Sequence, residues 1–271
     1  MKEELLKTWE EFEGKLVTIN EQSKVLQQAK KLSNMEYPLF RGHSDSRWHL
    51  ESTLDRIQKE MSYSDYLRII KCVNKHVATC TGKKKNLVED IDRVVAEGCE
   101  IIDLRKIKLP LQYYEFMAYL RHNGFPSPLV DWTKSPYLAA FFAFRDIYST
   151  AKNVSIFVHT GKLFLGQQSC ICRLGPTIAT DRKHYLQQSE YSICVRKENE
   201  EKYFANHEDV KEDVEDQSVL TKYTIPISER EKVLRKLDSM NITAYSLFDS
   251  DASLMETLAV REIIFKMENR P

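Results

Sequence analysis

"FPSPLVDWTKSPYLAAFFAF", residues 125–144, contains two structural elements and the joint between them. Pro128 to Asp131 reads as a short strand, and the very apolar run from Tyr137 reads as a buried helix, predicted over 137–148. Ser135 followed by Pro136 marks the joint, because serine is a favoured N-cap and proline suits the first helical position. Asp131, Thr133 and Ser135 crowd polar side chains around that helix N-terminus, where unpaired N–H donors gather. Capping accounts for Ser135, whereas Asp131 and Trp132 in so apolar a setting require a further partner.

Working outward, Leu5 to Leu32 carries apolar residues at mixed helical spacing, which predicts one or two surface helices within residues 1–34. "YPLFRG" (37–42) predicts a short strand, since Pro38 excludes helix and Gly42 ends the run. Helices are expected over 66–77, 87–95 and 111–124, the last with a stop at Asn123 and Gly124. Strands are expected near 154–159, 170–174 and 191–195. Mixed α and β elements without regular βαβ alternation predict an α+β fold in a single domain over 1–271.

The chain has 271 residues, 42% of them hydrophobic, enough for one large core or two small ones. Forty basic and forty acidic residues cancel, so no global field draws the chain to nucleic acid or anionic lipid. No apolar run reaches the roughly 18 residues needed to cross a bilayer, and the start resembles no secretory signal; no membrane partner and a cytoplasmic location are expected. The six cysteines lack zinc-type spacing, so no metal is expected; reduced, mostly buried thiols are. Residues 198–216 hold nine Asp or Glu against two Lys and read as an exposed, mobile insertion, either a solvated loop or a regulatory one. Arg68, Lys71, Lys75, Lys83, Lys84 and Lys85 form an opposite patch, either a solvated helix face or a nucleic-acid contact.

Two further stretches carry candidate chemistry. In "YPLFRGHSDSRWHL" (37–50), Gly42 would let a ligand lie on bare backbone, and Arg41 offers a planar fork of donors to phosphate or ribose oxygens. Equally, Arg41 would bind a carboxylate while Gly42 turns the chain. His43 has the ordinary reading of a surface histidine, and Trp48 with Leu50 reads as core. In "HYLQQSEYSICV" (184–195), strand alternation puts Gln188 and Glu190 on one face, lining either a cleft or an exposed sheet surface.

"FRG" at 40–42 with "SRWHLESTLDR" behind it, together with "LRHNGFPSPLVDWTKSPYLAAFFAF", resembles the FRG domain family of bacteria and phages. The resemblance runs from about Trp9 to Leu258. The chain differs from the family pattern at Pro128, where Arg is usual, and at "SLFDSDASL" (246–254). The order of the three sites is in turn similar to that of ADP-ribosyltransferases, which implies a core of two small antiparallel sheets with surrounding helices. It also implies NAD as substrate, bound by Arg41, Gly42, His43, Asp131, Thr133 and Ser135, with Glu190 and Gln188 catalytic. A protein or nucleic-acid acceptor, a toxin or phage-defence role and an inhibitory antitoxin follow from the same resemblance. The alternatives are an NAD glycohydrolase or a noncatalytic nucleotide- or nucleic-acid-binding module.

Overall fold

The computed structural model describes residues 1–30, 37–82, 109–160, 169–175, 178, 182–199, 201–210 and 220–267. The predicted helix at 87–95, the basic Lys83 to Lys85 and the acidic 211–216 lie outside them. The elements are β1 (Lys2–Leu5), α1 (Trp9–Lys30), β2 (Leu39–His43), α2 (Tyr63–Thr81), α3 (Leu111–His122), β3 (Val130–Thr133) and α4 (Pro136–Phe144). They continue with β4 (Asn153–His159), β5 (Ser169–Gly175), α5 (Arg182–Leu186), β6 (Ser189–Glu198) and β7 (Glu201–Phe204). Next come β8 (Leu220–Pro226), α6 (Arg230–Ser239), α7 (Ala244–Phe248) and α8 (Asp251–Ala259), and the described chain closes with a π-helical segment (Val260–Ile264) and a last helical turn (Phe265–Met267).

The fold is α+β, but the described strands join one eight-stranded sheet in the order β1-β8-β4-β2-β3-β6-β5, with β7 also on β6, in place of the two small sheets expected. It is mixed: β1 runs parallel to β8, and the other pairs are antiparallel. Pairing within this one sheet is weakest between β2 and β3, a seam. β2 pairs with β4 over five residues but with β3 only at Phe40 and Thr133. A separate core lies under each half. Trp9, Phe12, Phe144, Ile156, Tyr223 and Leu237 pack α1, α4 and α6 against β4 and β8. Tyr66, Leu67, Phe116, Met117, Ile193 and Phe204 pack α2 and α3 against β6 and β7.

α4 begins as its sequence dictates, with the Ser135 hydroxyl accepting from the Leu138 N–H at 3.3 Å and Pro136 in the first turn. It stops at Phe144, short of the predicted 148, because the Asp146 carboxylate accepts from the Tyr148 N–H and makes a local turn. Trp48 is half exposed rather than core, while Leu50 is buried.

The described part of 198–216 corrects the expectation of a mobile insertion. β7 forms a hairpin with β6, and Phe204, His207 and Val210 are buried. Glu208 accepts from the Leu50 N–H at 2.7 Å and pairs with His49 at 2.8 Å. Acidic composition concealed a strand because Lys202 and Phe204 turn inward while Glu201 stays exposed.

Candidate functional site

Strand alternation puts Phe40 and Gly42 on the face packed by α4, and Leu39, Arg41 and His43 on the other. Gly42 is fixed by close approach: a Cβ there would lie 1.9 Å from the Ala139 carbonyl oxygen and 2.7 Å from the Ala143 nitrogen. Ala139 and Ala143 let the helix backbone come this near. Gly42 therefore serves the packing of α4, and that side of it offers no room to a ligand.

Arg41 lies where β2 and β3 part. Its Nη1 donates to the Asp131 carbonyl at 2.7 Å and meets the Asp131 carboxylate at 2.7 Å, and its Nε donates to His43 Nε2 at 2.9 Å. Arg121 of α3 binds the same carboxylate and also donates to Thr53 at 3.4 Å. Burial raises the Asp131 carboxyl, but Arg121 and then Arg41 override it and hold it well below the usual carboxylate range. Burial, and then the charge of Arg41, depress His43 to about 3, so it is neutral at physiological pH. Of the two readings of Arg41, a carboxylate partner is the one observed.

Thr133 and Ser135 are engaged in the turn before α4, where Thr133 Oγ1 accepts from the Ser135 N–H at 3.2 Å. Thr133 shares the α4 face with Phe40, opposite the face that carries Arg41. Gln188 is not on β6: it has φ +48, is exposed, and forms the turn that precedes the strand. The expected pairing of Gln188 and Glu190 on one face fails because the left-handed turn interrupts the alternation.

Glu190 registers with Trp132, so it shares the second sheet face with Arg41. Its carboxylate is fully buried, accepting from Arg173 Nε at 2.9 Å and from the Tyr37 hydroxyl. Beside it, Trp132 Nε1 donates to Ser192 Oγ at 2.7 Å, and that hydroxyl meets His207 Nε2 at 2.8 Å. Burial first, then neighbouring Arg173 for His159 and Arg41 for His207, hold both histidines at about 3. Tyr37, Arg121, Arg173, His159 and His207 were not singled out from sequence. Their roles arise from pairings across 10 to 153 residues, which local patterns do not carry.

No curated protein and no solved structure matches the chain. Residues 36–152 match the FRG domain family. That span holds Arg41, Gly42, Arg121 and Asp131, and ends before Arg173 and Glu190. The tripeptide Phe40-Arg41-Gly42, within the residues that match the FRG domain family, thus has a physical account at each position, as core residue, seam ion pair and helix contact.

Proposed function

We propose that the protein is an NAD-consuming ADP-ribosyltransferase, with the dinucleotide lying along the seam between β2 and β3. The observation that supports this is the presence of Arg41 and Glu190 on one sheet face, one on each half of a sheet joined there by a single registered pair. Arg41 and Arg121 outnumber the one carboxylate between them, so the seam keeps net positive charge for a pyrophosphate. Breaking the nicotinamide–ribose C–N bond builds positive charge on the ribose, and the Glu190 carboxylate stabilises it until an acceptor nucleophile bonds to the same carbon. For this, Tyr37 must release its oxygen of Glu190. A bacterial toxin or phage-defence effector, acting on a protein or nucleic acid and restrained by an antitoxin, is the corresponding biological setting.

The complete burial of Glu190 favours a second reading, a noncatalytic nucleotide- or nucleic-acid-binding module. Incubation with labelled NAD, followed by separation of RNA, DNA and protein, distinguishes them. Transfer puts label in a macromolecule, glycohydrolase action releases nicotinamide without labelling one, and a binding module does neither. Glu190→Gln is expected to lower transfer by roughly 10² to 10³ in protein shown to be folded. Undiminished transfer in that variant removes Glu190 from the chemistry.

A further inference from the structure

Tyr37 lies two residues ahead of β2, and groups from three other places in the chain meet its side chain. The buried Glu190 carboxylate accepts its hydroxyl proton. The Arg173 guanidinium carbon lies 4.7 Å from the ring centroid, and the Lys134 ammonium lies 4.4 Å from it. Arg173 uses Nε on Glu190 and Nη1 on the Tyr37 carbonyl at 2.8 Å. Its Nη2 is buried and has no hydrogen-bond partner among the described residues, although the side chain is only 9% exposed.

The chemistry of these groups defines what fits among them. Two cations over one ring favour an electron-rich neutral π system and disfavour a cationic one. The Glu190 carboxylate at the ring edge accepts the Tyr37 hydroxyl proton, so a ring in its place must present an N–H or O–H donor. The unpartnered Nη2 and the Lys134 ammonium both suit an oxyanion attached to the same molecule.

We propose that Tyr37 fills, from within the chain, a slot that takes the neutral nucleobase of a phosphate-bearing nucleotide. The base replaces the tyrosine ring beneath Arg173 and Lys134, its N–H donors replace the hydroxyl on Glu190, and its phosphate engages Arg173 Nη2. The positively charged pyridinium of NAD is disfavoured there. The slot thus extends the proposed transfer reaction rather than restating it: where both hold, this base belongs to the acceptor. The slot does not depend on the transfer chemistry, because occupancy is measurable without NAD.

Because Tyr37 competes as an internal occupant, wild-type affinity is reduced by the fraction of molecules whose slot is closed, and removing the ring abolishes that competition. The test titrates GMP, AMP, ribose 5-phosphate and nicotinamide mononucleotide onto wild type, Tyr37→Ala and Tyr37→Phe, with circular dichroism as the check on folding. GMP or AMP is expected to bind Tyr37→Ala about tenfold or more tightly than wild type, the order of one base stack. Ribose 5-phosphate and nicotinamide mononucleotide gain nothing, and adding Lys134→Ala reverses the gain. Tyr37→Phe, which keeps the ring but loses its bond to Glu190, shows a smaller gain and serves if Tyr37→Ala does not fold. Equal gain for ribose 5-phosphate or the pyridinium nucleotide overturns the base slot, as does unchanged GMP and AMP affinity in a folded Tyr37 variant. Failure of the labelled-NAD assay alone overturns the transfer reading and leaves the slot standing.

Discussion

Asp131 and Glu190 sit on adjacent strands and are both carboxylates held by arginine, yet their surroundings differ. Asp131 has two arginines and keeps 46% of its side-chain exposure, whereas Glu190 has one arginine and a tyrosine hydroxyl and keeps none. The first fastens the two halves of the sheet where the backbone ladder nearly lapses. The second lies within one half and is closed by a side chain that can turn away. A charge at a seam thus explains itself by structure, while a sealed charge needs a reason to be there, since burying an ion pair is weakly stabilising at best.

The most severe way to break this arrangement is Gly42→Ala, which drives a methyl group into the main chain of α4 rather than into a flexible side chain. Overpacking against yielding neighbours costs about 1 to 3 kcal/mol, so contact with unyielding backbone is expected to exceed about 3 kcal/mol, read as a fall in the urea midpoint. A stable Gly42→Ala protein would show that α4 does not rest on β2 as described.

The two carboxylates are compared directly by neutralising each. Glu190→Gln leaves Arg173 buried without its counterion and is expected to cost about 3 kcal/mol. Asp131→Asn strands two arginines that retain some exposure, and about 2 kcal/mol is expected, lessened by solvent around the half-exposed site. Added salt should reduce the penalty at Asp131 more than at Glu190, because screening reaches exposed charges first. The reverse order of costs would move the sealed site to Asp131.

What the sequence disclosed follows the range of the interactions involved. The start of α4 was legible because Ser135, Pro136 and the Leu138 N–H lie within four residues of one another. The strand at Arg41 and Gly42 was legible, and so was the requirement that Asp131 find a partner. The seam was not, because whether β2 and β3 pair over one residue or five depends on strands 90 residues apart. Nor was the turn at Gln188 readable, since glutamine gives no signal for the positive φ it adopts. β1 escaped notice because "KEEL" has the charge of a surface helix and becomes a strand only through β8.

The smallest effect per group is read from the pH dependence of both regions. His43 lies beside Arg41, whereas His159 and His207 ring with Trp132 near Glu190. Burial holds each at about 3 in the folded chain, below the unfolded value of about 6.5. Between these values the unfolded chain binds more protons, so each histidine contributes its full stability above about pH 6.5 and loses it as pH falls towards 3. At pH 6 the loss is about 1 kcal/mol for each histidine, relative to pH 8. Urea unfolding from pH 8 to 5.5 measures the slope, and His43→Asn and His207→Gln should each remove about 1 kcal/mol of the loss between pH 8 and 6. If only His43→Asn flattens the curve, the Trp132 side of the face is open to protons and solvent, and the description of a sealed Glu190 site fails.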